Sequence, residues 1–452
     1  MSRFPVPEHT PLGEPSAAQG VWTTTDPEHV RDQIGFTYAV IFQDDQLVPG
    51  FAVTVCRECN IAPKVEVESR DSAPTLPAAS PSSIDPPEER TVFDSWVQLK
   101  VPLSSNTVFR RAFRDVDGSA RVGRILELAD GLAADVGYRH AVGGYKQGVG
   151  ISVATASIYS LVLNGREFVD SEDIFLRAYV TRVGSSSMEV CIEMEQIATA
   201  TRAHAFFVMV ALDHKKNRPR KVPAILDVPA RIAEQAAARH ERRLQRGKGT
   251  SVDAGSSLSP AELKNLHNMW LRHRERFASN FPSGAVLPSP QHTMMRVSSD
   301  ERRMSENRLE STLLIWPNEM NVHGTLFGGI VTRTAIEAAY MTVAQYLHST
   351  AWAALLAVDD VFFLNPIPSG AMTKYIGQVI FTEGPDAVVR VECLLVPPRQ
   401  HPAVWQRGTV FFFHFRWPPA VPRVIPESYE EYLLFMEGRR RHRQYQGPIS
   451  KL

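Results

Sequence analysis

What most constrains this chain is that it carries one pattern twice. A strand-like run, a long apolar helix and several long strands follow one another from about residue 92, and the same order returns after residue 306. Three landmarks carry the repeat. Gly123 and Gly329 stand at the starts of the two helices, 206 residues apart. Gly184 and Gly384 lie in turns between strands, 200 apart, and Phe207 and Phe411 lie in late strands, 204 apart. A near-constant offset at three places implies a duplicated domain. Each copy reads as an α+β unit, a curved antiparallel sheet around a central helix.

The periodicities support both copies. From Val122 the apolar positions fall at 122, 125, 126, 129, 132, 133 and 136, one face of a helix of about five turns. The strand DSWVQLKVPL precedes it, and SIYSLVL, DIFLRAYVTRVG, SMEVCIEM and HAFFVMVALD follow. In the second copy LESTLLIW leads into NVHGTLFGG and a helix over 330–347. The strand-like runs AALLAVDDVFFLNPI, KYIGQVIFTEG, AVVRVECLLV and TVFFFHFRW come after it. An asparagine, a histidine and three glycines crowd into residues 321–329. Glycine is costly to order and is kept where backbone must come close to something. A helix start also presents unpaired N–H groups and the positive end of the dipole. The stretch suits either of two roles: gripping a carbonyl or phosphate oxygen, or forming a tight turn that packs a helix on a sheet.

Around the two copies, at 91–213 and 306–420, lie four further segments. Residues 1–62 form an N-terminal extension with a candidate hairpin, FTYAVIF and GFAVTVC around the turn QDDQLVP. Residues 63–90 are a Pro- and Ser-rich linker. Residues 214–305 form a basic connector with helices of its own, one of them opened by Ser259-Pro260-Ala261-Glu262, a capping box. Residues 421–452 form a short helix and a basic tail. Lys+Arg and Asp+Glu both number 49, so no global charge favours nucleic acid or membrane. The basic runs at Arg239, Arg242, Arg243 and Arg246 and at Arg439–Arg443 are expected to be solvated helix faces and dipole partners. No apolar run is long enough to span a membrane. The first residues show neither a secretory signal nor a transit peptide. Cys56 and Cys59 form a lone CxxC without the further ligands that zinc needs, so no metal site is expected.

At this point several segments resemble the hotdog-fold acyl-CoA thioesterases, and within them the mitochondrial branch that carries two hotdog units on one chain. The resemblance rests on N-V-H-G-T-L-F-G-G before a long helix, on R-V-G-R-I-L-E at residues 121–127, and on V-D-D-V-F-F-L-N-P at residues 358–366. It rests also on the F-H-F strand and on P-E-S-Y at residues 426–429. It covers roughly residues 90–446. It implies two tandem hotdog domains pairing as an intrachain pseudo-dimer, hydrolysis of fatty acyl-CoA to free acid and CoA, no cofactor beyond the CoA of the substrate, further assembly into homo-oligomers, and a mitochondrial location. Without the resemblance the compartment would be the cytoplasm.

In that family the working pair is an Asn before one helix and an acid on the helix of the other unit. Asn321 lies eight residues before Gly329, whereas Asp115 lies eight before Gly123. Seven residues after the glycine come Asp130 in the first copy and Ile336 in the second, with Glu337 next to it. One composite site is therefore expected, Asp130 with Asn321, and the opposite pairing, Asp115 with Ile336, is expected to be dead. Asp130 would be general base or nucleophile. Asn321 would orient water or polarise the thioester, and the N–H groups of Gly328 and Gly329 would hold the oxyanion. His323, Glu127 and Glu337 are candidates for supporting roles, and Arg121 and Arg124 for contact with CoA phosphates. The competing expectation is a hotdog scaffold or acyl-CoA-sensing subunit of a larger mitochondrial assembly, without catalysis.

Overall fold

The computed structural model describes residues 42–43, 46–47, 88–144, 150–163, 167–213, 218–247, 259–278, 298–321, 324–349, 353–359, 361–418 and 420–446. The main body is a mixed α+β structure built on one eleven-stranded sheet. The first half supplies β1 (Val97–Val101), helix α1 (Val122–Val142), β2 (Ile151–Leu163), β3 (Ile174–Val183), β4 (Ser187–Gln196) and β5 (Thr201–Asp213). Two helices follow, α2 (Ala230–Gly247) and α3 (Pro260–Ala278). The second half supplies β6 (Arg308–Leu314), α4 (Gly328–Leu347), β7 (Ala354–Val358), β8 (Val361–Phe363), β9 (Met372–Glu383), β10 (Asp386–Val396), β11 (Gln406–Arg416) and the C-terminal helix α5 (Tyr429–Gln446). Across the sheet the order is β6-β9-β10-β11-β7-β2-β5-β4-β3-β1, with β8 beside β11 and β2. Read from its middle outwards, each half has the same strand sequence.

The join between the halves has the symmetry of a pair. Ile158 and Ser157 of β2 face Val361 and Phe362 of β8. Leu161 and Val162 of β2 face Val358 and Ala357 of β7. Moving first-half residues forward by 200 and second-half residues back by 200 turns one set of pairs into the other. Such self-complementary contact is what a two-fold relation produces. The ladders also refine two landmarks. Both halves shift register at the same place, between Val180 and Arg182 and between Val379 and Phe381. Val190 then faces Phe207, while its counterpart Val389 faces Phe413. Phe413, rather than Phe411, is thus the partner of Phe207, two residues on and on the same face of the strand.

The repeat extends beyond the expected 91–213 and 306–420. Glu89–Thr91 pairs in parallel with Ala224–Leu226, and Glu301–Arg303 pairs in parallel with Arg423–Ile425. The helices α2 and α5 are counterparts as well. Successive strand residues point to opposite faces, so Phe207 and Phe413 face the central helices while Phe206 and Phe412 face outwards. Arg239 of α2 lies 3.6 Å over the Phe206 ring and Arg441 of α5 lies 3.5 Å over the Phe412 ring. Arg239 also donates to Glu189, and Arg441 to Asp359 and Glu437. These arginines belong to the packing of the sheet rather than to a solvated face. α3 has no counterpart among the described residues. Its expected capping box is present, with the Glu262 N–H donating to Ser259 Oγ and the Ser259 N–H to Glu262 Oε2. α3 packs on α5 through Leu266, Tyr432 and Met436, and Arg440 joins Glu262.

Three local expectations change. The run AALLAVDDVFFLNPI carries two strands, Ala354–Val358 and Val361–Phe363; Asp359 between them donates its N–H to Phe412 O and meets Arg441 at 2.6 Å. Of the candidate N-terminal hairpin the described residues hold Phe42–Gln43 paired with Gln46–Leu47, the latter inside the stretch expected to be the turn; residues 36–41 and 50–56 lie outside the described residues. α4 starts at Gly328, so the last two glycines of the turn are its first helical residues. Cys56 and Cys59 lie outside the described residues; Cys191 and Cys393 are buried free thiols. Among the described residues no helix is long and apolar enough to cross a membrane.

Candidate active site

The turn before each long helix is the same object, bond for bond. The Asn321 N–H donates to Thr325 O, the Gly324 N–H to Asn321 O and the Leu326 N–H to Ile367 O. In the first half the Asp115 N–H donates to Ser119 O, the Gly118 N–H to Asp115 O and the Ala120 N–H to Phe168 O. Gly118 and Gly324 close the two turns at φ of +88° and +71°, a region that suits glycine. The alignment of Asn321 with Asp115 thus holds in the backbone. Asn321 Oδ1 accepts from both the N–H and the hydroxyl of Thr325, each at 3.2 Å, which fixes its amide plane. Val322 and His323 lie outside the described residues.

After this turn Phe327 caps α4 without a side-chain hydrogen bond. The first amides of a helix have no intrahelical partner, and here they open towards α1. A Cβ placed on Gly328 would lie 3.1 Å from Asp130 Oδ2. The next amide, that of Gly329, favours the charged form of the Asp130 carboxylate. The sequence expectation set both amides aside for an oxyanion; the structure brings the start of α4, with Gly328 against Oδ2, to the Asp130 carboxylate.

Asp130 lies midway along α1 with 1% of its surface exposed. Thr155 of β2 donates its hydroxyl to Asp130 Oδ1 at 2.6 Å. Oδ2 is buried with no hydrogen bond of ordinary geometry. Burial is the main cause that pushes this carboxyl up to about 6, with the charge of Glu127 adding to it. The Thr155 hydroxyl and the Gly329 amide pull the other way. A carboxylate with one oxygen held and the other bare, titrating near neutrality, has the properties of a base or nucleophile. Thr155 is the residue that sequence reasoning missed, since the strand assigned there began two positions later. The repeat held a signal for it. Thr155 faces Met209 as Leu355 faces Phe415, so a hydroxyl stands where the other half has an isobutyl group.

Two glycines let the helices cross here. A Cβ on Gly329 would lie 2.8 Å from the Cα of Glu127, and one on Gly123 would lie 3.0 Å from Cγ of Arg333. These contacts are exchanged by the offset of 206. Glu127 is buried and takes two cations, Arg124 Nη1 at 3.0 Å and Arg333 Nε at 3.3 Å. Arg124 is therefore turned inwards to a structural ion pair, where a phosphate would have to displace Glu127. Glu337 pairs with Arg121, and both act on the charge of Asp115. Arg121 and Glu337 thus accompany Asp115 instead of Asp130. Around them stand Ile336 in place of Asp130, Val122 in place of Gly328 and Leu355 in place of Thr155. Among the described residues no group of three or more His, Cys, Asp or Glu side chains is placed to hold a metal.

No family model matches the chain. The chain is 29% identical over 371 residues to a Bos taurus protein named acyl-coenzyme A thioesterase 9, mitochondrial, with 80% of each chain covered. It is 26% identical over 369 residues to the Mus musculus protein named acyl-coenzyme A thioesterase 10, mitochondrial, again with 80% of each covered. Among solved structures, an acyl-CoA hydrolase from Staphylococcus aureus is 22% identical and has a TM-score of 0.30, covering 33% of this chain and 96% of that one. The resemblance read from the motifs of residues 90–446 is thus matched by similarity over most of the chain.

Proposed function

We propose that this protein is an acyl-CoA thioesterase, two tandem hotdog units paired within one chain around a single composite site. The observation that carries the proposal is the buried Asp130 carboxylate of one half, held by Thr155 and facing the helix start of the other half. The exchange-symmetric contacts of β2 with β7 and β8 support the paired arrangement. Relatives named for thioester hydrolysis, similar over 80% of the chain, support the reaction.

In the reaction, the thioester carbonyl sits between Asp130 and the start of α4. Asp130 either takes a proton from the attacking water or attacks the carbonyl itself. Thr155 holds Oδ1, so Oδ2 is the reacting oxygen. Negative charge then builds on the carbonyl oxygen, which the Gly328 N–H and the positive end of α4 stabilise. The Asn321 side chain, fixed by Thr325, orients the water or the thioester. Where Asp130 acts as base, collapse breaks the C–S bond, the free acid forms and the thiolate takes the proton that Asp130 holds. Where Asp130 attacks, collapse expels the thiolate and leaves an acyl–Asp130 anhydride. Water hydrolyses the anhydride to free acid and carboxylate, the proton released passing to the thiolate. The residues present suffice for this chemistry without a metal or redox cofactor. Acyl-CoA is the partner; nucleic acid is not expected to be one. Further assembly of such pairs into homo-oligomers and a mitochondrial location belong to the same proposal, on the model of the named relatives.

The scaffold or sensor alternative requires a lapsed site, whereas Asp130, Thr155, Asn321 and the two glycines are all present. Release of free CoA thiol by the purified protein, lost in Asp130→Asn, tests the proposal. Unimpaired turnover in both Asp130→Asn and Asn321→Ala would place the chemistry elsewhere.

A further inference from the structure

We propose that Ala134 sets the acyl-chain capacity of the composite site by leaving open the space that its counterpart, Tyr340, fills in the other half. The inference rests on the thioesterase function proposed above. Ala134 lies four residues beyond Asp130 on the same face of α1, about 6 Å further along the helix. Its counterpart at the offset of 206 is Tyr340 of α4, four residues beyond Ile336.

Tyr340 shows what a large side chain does at this position. Its ring stands edge-on to Phe415, centroids 5.0 Å apart, and its phenol feels the charges of Glu167, Asp115 and Asp117. Asp115 is the counterpart of Asn321. The Tyr340 ring therefore fills space between α4 and β11 in its half-site, with the carboxylates of the turn opposite near enough to act on its phenol. On the Asp130 side the same span starts from a methyl group, and the counterpart of Phe415 is Met209, an adaptable thioether.

The surroundings give the direction of the chain. Towards the start of α1, the face next to Asp130 is taken by Glu127, its two arginines and the backbone of Gly329. An apolar chain leaving the thioester carbon has no room among those charges. In the other direction the face offers Ala134 among apolar neighbours, and ends at Gly137, where a Cβ would lie 2.9 Å from Val153 and 3.5–3.6 Å from Met188 and Met209, so the space at Ala134 is bounded there.

The test measures kcat/KM on acetyl-, butyryl-, octanoyl- and palmitoyl-CoA for the unaltered protein and for Ala134→Tyr, Ala134→Val and Tyr340→Ala. A buried methylene is worth ~0.8 kcal/mol, about fourfold in kcat/KM. Ala134→Tyr is expected to keep acetyl-CoA hydrolysis within about threefold and to lose about 10²-fold or more on the longest chain that the unaltered protein accepts. Ala134→Val shifts the profile the same way by less, and it carries the test should the tyrosine variant fail to fold. Tyr340→Ala leaves the profile unchanged. Equal losses at every chain length in Ala134→Val or in a folded Ala134→Tyr, or an unaltered profile in both, would overturn the assignment of Ala134. Absence of turnover by the unaltered protein on every chain length would overturn the function and this inference together.

Discussion

At the scale of the residue, Asp130 is the point where function and stability oppose each other. Its carboxyl titrates near 6 in the folded chain and near 3.8 when exposed, so folding disfavours the ionised form. Its contribution to stability is therefore full below about pH 4 and lost as pH rises through about 6, a difference on the order of 3 kcal/mol. Urea denaturation should find Asp130→Asn more stable than the unaltered protein at pH 8, by up to that amount, with the gain vanishing near pH 4. No gain at pH 8 would mean that the carboxylate is better solvated than its burial indicates. The same titration sets the rate: kcat/KM should rise with pH through about 6 and then level off. Thr155→Val should cost about tenfold in kcat and move this limb upwards, since it removes a hydrogen bond that favours the charged form. A flat pH profile between 5 and 8 would argue against Asp130 as the titrating group.

At the scale of the element, α1 and α4 meet through Gly123 and Gly329, and the proposed site depends on that close approach. Gly329→Ala would drive a methyl into the backbone of Glu127. It is expected to destabilise by roughly 1–3 kcal/mol and to lower kcat, as the amides of α4 move from Asp130; unchanged melting and rate would show that the crossing has slack. Much at this scale was legible in sequence. The apolar period gave α1, the glycine turn gave the start of α4, and the Ser259–Glu262 pair gave the start of α3. Other features were hidden for physical reasons. Thr155 sits in a strand of apolar and small polar residues, where a hydroxyl that points at an acid looks like any other. The inward turn of Arg124 depends on Glu127 and on Arg333 some 200 residues away. The arginines of α2 and α5 carry the composition of a solvated face, yet Arg239 and Arg441 lie on aromatic rings. Arg441→Gln, which loses both Asp359 and the Phe412 ring, should cost about 1–3 kcal/mol in thermal or chemical unfolding.

At the scale of the whole molecule, the two halves share one strand order but differ at the corners where α1 and α4 meet. The turns keep identical hydrogen bonds, yet one half holds Asn321 and Gly328 while the other holds Asp130 and Thr155. The opposite corner carries Asp115, Val122, Ile336, Leu355 and Tyr340. The offset between copies was readable from three landmarks. Its refinement, and the inclusion of α2 and α5 in the repeat, needed strand register, which no spacing in the sequence reports. The arrangement predicts one binding event per chain: calorimetric titration with a non-hydrolysable acyl-CoA analogue should give a stoichiometry near one, and a value near two would restore the opposite corner as a site. The composite site itself is tested most directly by thiol release from a series of acyl-CoA chain lengths, measured for the unaltered protein, Asp130→Asn and Asn321→Ala. Turnover on at least one chain length, with a loss of about 10²-fold or more in Asp130→Asn and a clear loss in Asn321→Ala, is the expected result; full activity in both variants would contradict it.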